Sequence, residues 1–201
     1  MTVIGITGPS GAGKGALCVI LRTKYGFNVI DADSIYHSLV SAPSHCLDEI
    51  REYFGDGVVG DGGALDREAL SRLVLGENNG DKLLLLNQIT HKYVVEKILS
   101  EIDRCKSNNM NCAVDAPLLI EAGLQQYCDF TIAVLSDEIT RAARIIARDN
   151  ISPEKAKMRI SSQKCDEYYK SNTDYTIRND GNISLLESSL AKILSERRVI
   201  S

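Results

Sequence analysis

Gly8-Pro9-Ser10-Gly11-Ala12-Gly13-Lys14 fits the pattern G-x-x-x-x-G-K, and no other stretch limits the fold so tightly. Glycines let the backbone wrap an anion with its N–H groups turned inward, and a following helix presents its positive N-terminus. The pattern therefore needs a strand before it and a helix after it. Both are there. Val3-Ile4-Gly5-Ile6 is a short apolar β-type run, and Ala16-Leu17-Cys18-Val19-Ile20-Leu21 starts a buried helix running to about Tyr25. Gly26 suits the helix stop. Phe27-Asn28-Val29-Ile30 then reads as a second strand, so the chain opens on a βαβ unit with a right-handed crossover. Lys14 adds a mobile positive charge that can reach the outer phosphates of a nucleotide. The plainer alternative, a glycine-rich turn with a surface lysine, explains neither flank.

Further along, strand and helix patterns alternate. Ser34 to Val40 and Asp48 to Phe54 are short amphipathic segments. Asp56-Gly57 and Asp61-Gly62-Gly63 are turn signals, and Asp66 is an acidic N-cap for a helix apolar at 70, 73 and 74. Leu83 to Ile102 is one long helix, broken near Asn108-Asn109. Cys112-Ala113-Val114 and Phe130 to Leu135 are buried strands. Glu138 to Arg148 is an arginine-rich helix, and Pro153 opens a charged helix to about Gln163. Tyr175-Thr176-Ile177 is the last strand and Leu185 to Leu194 a closing amphipathic helix. Compact apolar strands between helices argue an α/β fold with a parallel sheet covered on both faces.

Composition narrows the partners. The chain has 201 residues, 44% of them hydrophobic, which suffices for a core and excludes a mainly disordered protein. Lys and Arg number 23 against 27 Asp and Glu, a net charge of −4 that speaks against nucleic acid as a partner. A phosphate site needs only a few local donors and is untouched by that balance. No apolar run approaches the roughly 20 residues of a membrane span. Met1 leads straight into Thr2-Val3-Ile4 without a basic stretch, so no secretory signal is expected. The six cysteines form no C-x-x-C pair and lie at no zinc spacing from the three histidines. They read as free thiols of a cytoplasmic protein, with Cys18 and Cys112 in the core.

Carboxylates supply the second half of a phosphate-transfer site. Asp31 and Asp33 follow the second strand and Asp115 ends the third, at the strand ends where open parallel sheets bind ligands. A carboxylate there can accept the proton of an attacking hydroxyl or hold Mg²⁺ directly or through water. Each aspartate after the second strand could instead cap the helix beginning near Ser34. The lysine of the loop is followed by Gly15 and Ala16, so the hydroxyl that ordinarily binds Mg²⁺ is missing.

The pattern as a whole resembles the dephospho-CoA kinase family. The similar segments are Val29 to Asp33, then Phe54-Gly55 with Asp61-Gly62 and Leu65-Asp66-Arg67, then Asp115-Ala116-Pro117-Leu118-Leu119-Ile120-Glu121. Arg144 with Arg148-Asp149, Arg159-Ile160 with Gln163, and Ile177 to Gly181 complete the series in family order. The resemblance implies a three-layer P-loop kinase fold: a five-stranded parallel sheet, a helical acceptor domain and a helical lid. The nucleotide-binding core would be residues 1–33, 110–148 and 172–201, the acceptor subdomain 34–109 and the lid 149–171. It implies transfer of phosphate from ATP, with Mg²⁺, to the ribose 3′-hydroxyl of dephospho-CoA. The expected assembly is a monomer or weak homo-oligomer.

By position, Asp33 would be the base, Lys14 would steady the transferring phosphate, and Arg144 would stabilise transition-state charge. Gly11, Ala12, Gly13, Lys14, Gly15, Ala16, Arg148 and Asn179 would hold the nucleotide. His37, Leu118, Glu121 and Arg159 would join Asp33 at the acceptor, with Asp31 and Asp115 as metal ligands.

Departures stand beside these matches. His37 occupies a position where arginine is common, and Lys92 follows His91 where the family usually has proline. Pro117-Leu118-Leu119 could pack a helix start rather than touch the acceptor. Arg141, Arg144 and Arg148 form a stripe whose default is a solvated face, and Arg141 is expected to stay on it. A related kinase with another nucleotide acceptor, or a nucleotide-binding module without transfer, are the other two readings.

Overall fold

The computed structural model describes residues 1–41, 43–60, 62–75 and 79–200. Five strands, β1 (Val3–Thr7), β2 (Asn28–Asp31), β3 (Cys112–Asp115), β4 (Phe130–Leu135) and β5 (Tyr175–Arg178), form a parallel sheet in the order β2-β3-β1-β4-β5. Ile6 pairs with Asp115 on one side of β1 and with Ile132 on the other, and Leu135 pairs with Arg178. The opening βαβ unit is there, but β3 lies between its two strands.

All six residues of β4 are buried. Phe130, Ile132 and Val134 join a cluster with Leu17 and Leu21 of α1 (Lys14–Tyr25) and Leu186 and Leu190 of α9 (Ile183–Glu196). Ala133 and Leu135 face the other way, onto Tyr169 of α8 (Asp166–Asn172). The two-residue period of a strand thus feeds two apolar layers, which explains why β4 reads as an unbroken apolar run. The sequence reading has no helix at α8, where Tyr169 is the one buried residue and no apolar period exists to read.

The chain divides into two compact units, Met1–Ile30 with Ile102–Ser201, and Asp31–Glu101. The second unit is built from α2 (Ala32–Ser41), α3 (His45–Phe54), α4 (Arg67–Val74) and most of α5 (Gly80–Ser107) around Val40, Ile50, Leu70 and Ile89. Asp66 caps α4 as its position predicts, accepting from the amides of Glu68 and Ala69 at 3.0 and 2.9 Å. Asp61, expected in a turn, lies outside the described residues. Helix α5 runs unbroken through His91-Lys92, where a proline would remove a helical N–H. Lys92 uses the position to bind Glu49 of α3 at 2.9 Å, and the Tyr93 hydroxyl donates to the same carboxylate at 2.6 Å. Among the described residues no helix is long and apolar enough to cross a membrane. All six cysteines are free thiols, with Cys18 and Cys112 buried as expected.

Candidate active site

The phosphate loop leaves the C-terminal end of β1 and enters α1 at Lys14. Gly8, Gly11 and Gly13 all have a positive φ and a neighbour closer than a Cβ tolerates, and Gly8 and Gly13 are the most crowded. Gly8 has φ +135°, and a Cβ there would come within 2.2 Å of the Val134 carbonyl oxygen. Gly13 has φ +100°, and its Cβ would fall 2.0 Å from the Asn179 side-chain nitrogen. The Gly13 carbonyl accepts from the amides of Ala16 and Leu17, which starts the ladder of α1. No acidic side chain occupies the first turn of α1. A helix start with no side-chain cap and no acidic residue in its first turn suits an external anion, so the loop and helix fit nucleotide phosphates. The Lys14 ammonium folds back over the loop, donating to the Gly8 carbonyl at 2.7 Å.

One face of α6 (Glu138–Asp149) holds this loop in shape. Arg144 donates from one nitrogen to the carbonyls of Gly11 and Ala12 at 3.1 and 3.3 Å and to the Ser136 hydroxyl at 3.4 Å. All three partners are neutral, so the guanidinium charge is delivered to the loop without a facing carboxylate among them. Arg148 reaches the Ser10 hydroxyl at 3.3 Å and pairs with Asp149. Arg141 does not lie on a solvated face: it is 4% exposed, with its Nε on the Ser10 carbonyl at 3.0 Å. The stripe is a binding face because the loop covers it, which helical spacing alone cannot reveal. Asn179, just beyond β5, is buried and donates its amide to the Ala12 carbonyl at 2.9 Å. Its backbone N–H is held by the Leu135 carbonyl at the end of β4. Residues from β1, β4, α6 and the end of β5 therefore converge at one edge of the sheet.

The other predicted residues occupy varied surroundings. Asp115 ends β3, and its Oδ2 accepts from the Cys18 thiol at 3.3 Å. It is an oxygen donor suited to Mg²⁺, whereas the side chains at Gly15 and Ala16 offer none. Among the described residues no group of three or more His, Cys, Asp and Glu is gathered for a metal. Arg159 of α7 (Pro153–Ser161) is paired with Asp149. Leu118 is exposed while Leu119 is buried, and Glu121 is exposed beside the Tyr168 hydroxyl. Burial first, and Glu121 second, push the Tyr168 phenol up.

In the second unit, Asp31 closes β2, and its Oδ1 accepts from the Ser34 amide at 2.9 Å, so it caps α2. Asp33, in the first turn of α2, has an exposed side chain. The His37 ring contacts the Arg67 guanidinium through Nδ1.

A model of a family described as dephospho-CoA kinase matches residues 2–184. That span takes in the loop, the arginine helix, Asn179 and the whole second unit. The chain belongs to the dephospho-CoA kinase family. It is 32% identical over 198 residues to the dephospho-CoA kinase of Staphylococcus epidermidis, covering 98% of this chain and 96% of that one. The dephospho-CoA kinase of Corynebacterium glutamicum is 29% identical over 197 residues, covering 98% and 100%. The solved dephospho-CoA kinase from Campylobacter jejuni superposes with a TM-score of 0.70 at 25% identity, covering 96% of each chain. Shikimate kinase from Acinetobacter baumannii, at a TM-score of 0.58, 14% identity and coverage of 100% and 96%, shares the fold. The expected P-loop kinase fold with its five-stranded sheet is thus the fold of this chain, and a dephospho-CoA kinase is an enzyme that uses nucleotide.

Proposed function

We propose that this chain transfers the γ-phosphoryl group of ATP to the ribose 3′-hydroxyl of dephospho-CoA, giving coenzyme A and ADP in the last step of coenzyme A synthesis. The observation that carries the reading is the reach of the family match, residues 2–184. A phosphate loop is common to many kinases, and the acceptor is chosen elsewhere in the chain. Cytoplasmic action goes with the reading, as do the free thiols.

In this mechanism the protein supplies position and charge, because phosphoryl transfer asks little covalent chemistry of it. The loop amides and Lys14 hold the β- and γ-phosphates. Arg144, kept at the loop by neutral oxygens, offers charge to the equatorial oxygens as the bond to the leaving ADP breaks. Asp33 accepts the proton of the 3′-hydroxyl as its oxygen bonds to phosphorus. Arg148 and Asn179 serve the nucleotide side. His37, Leu118, Glu121 and Arg159 serve the acceptor, Arg159 while paired with Asp149. Mg²⁺, held by phosphates and water with Asp115 and Asp31 as candidate ligands, would neutralise charge on the triphosphate.

A coupled assay with dephospho-CoA, reading ADP and the 3′-phosphorylated product, tests the reaction. Asp33→Asn should lower kcat by about 10²–10⁴-fold with nucleotide binding unchanged. Wild-type kcat in that variant would remove Asp33 as the base. The missing hydroxyl at Gly15 and Ala16 favours one second reading, nucleotide binding without transfer. Tight ADP binding with no product from dephospho-CoA, CMP, UMP or AMP would establish it.

A further inference from the structure

The Ser10 backbone in the phosphate loop is taken on both sides by side chains. Its N–H donates to Gln163 Oε1 at 3.2 Å, and its carbonyl accepts from Arg141 Nε at 3.0 Å. The ring closes between those two side chains, where Arg141 Nη2 donates to the same Gln163 oxygen at 2.5 Å. The loop is also pressed against α6 here, because a Cβ on Gly11 would meet the Arg141 carbonyl oxygen at 2.7 Å. Gln163 lies just past the end of α7, and α7 is fixed to α6 by Ile145, Ala156 and Ile160.

Burial of Arg141 needs a reason. A guanidinium removed from water is costly unless it is hydrogen-bonded, and here Nε and Nη2 donate to a carbonyl and an amide oxygen, neither of them a carboxylate. A neutral partner leaves the positive charge undiminished behind a loop built to face phosphates. A carboxylate would satisfy the same donors and cancel that charge.

We propose that Arg141 and Gln163 are positioning residues that clamp the Ser10 peptide, so that loop geometry and the placement of the α6–α7 pair become one variable. This rests on the reading that the loop holds nucleotide phosphates. The clamp acts through Ser10 and contributes to nucleotide affinity rather than to the acceptor.

Calorimetric titration with ADP, which needs no acceptor, tests the clamp in the full chain. Gln163→Leu removes the shared oxygen at a half-buried position, and Arg141→Lys keeps the charge while losing the fork. Each should weaken ADP by about tenfold or more, the worth of a lost charge-assisted hydrogen bond. KM for ATP should rise with it, while KM for dephospho-CoA stays within about twofold. A merely structural role would lower the melting temperature and leave both affinities alone. An ADP dissociation constant within about twofold of wild type in Gln163→Leu overturns the proposal, even if Arg141→Lys does not fold. A wild-type enzyme that fails to phosphorylate dephospho-CoA would sink the proposed reaction instead, and the ADP titration would still judge the clamp.

Discussion

Two glycines a step apart on the chain respond to opposite rules. Gly13 combines a left-handed φ of +100° with an Asn179 nitrogen 2.0 Å from where a Cβ would sit. Gly13→Ala must break the Asn179 hold on the Ala12 carbonyl or distort the loop, so ADP should bind at least about tenfold more weakly, as calorimetry would show. Gly15 lies inside α1, and a Cβ there meets nothing within 4 Å. Gly15→Ser should therefore keep the loop amides and raise stability by up to about 0.5 kcal/mol, read from thermal or urea unfolding. It also returns a hydroxyl to the place where such loops present one to Mg²⁺. The G-x-x-x-x-G-K pattern shows where glycine is required. It does not show why, because the atoms that forbid a side chain belong to Val134 and Asn179, far along the chain.

At the scale of elements, the join between α6 and α7 is an ion cluster with a defined pH window. The Arg148 hydrogen bond, helped by Arg159, holds the Asp149 carboxyl down at about 2. In the unfolded chain it would titrate near 3.9. The folded state favours the charged form, so the contribution is complete above about pH 4 and is lost as pH falls toward about 2. Asp149→Asn should thus lower the melting temperature by an amount constant between about pH 5 and 8, shrinking as pH falls from about 4 through about 2. A difference that grows on acidification would contradict the assignment. The strands and most helices were readable from apolar runs and caps, Asp66 among them, because those signals are local. The arginine stripe on α6 was readable as spacing but not as function. Arg141 is buried with Ser10 of the loop and Gln163 beyond α7 bonded to it, and one helix carries no trace of what covers it.

At the scale of the whole molecule, the net charge of −4 means that polyanionic ligands are met by local cations, not by a basic surface. Lys14, Arg141, Arg144 and Arg148 all engage the loop within one compact unit. The other unit has a core of its own and stands on separate devices, of which the Asp66 cap is the simplest. Replacing that cap in Asp66→Ala should cost about 1 kcal/mol of stability. ADP at a hundred times its dissociation constant should stabilise the wild type by about 2.7 kcal/mol through mass action alone. The Asp66 partners Glu68 and Ala69 are not shared with the loop, so the two effects should add to within about 0.5 kcal/mol. Urea unfolding of wild type and Asp66→Ala, each with and without ADP, measures the four corners of that cycle. An interaction energy well beyond that margin would mean that nucleotide in the first unit alters the stability of the second before any acceptor is present.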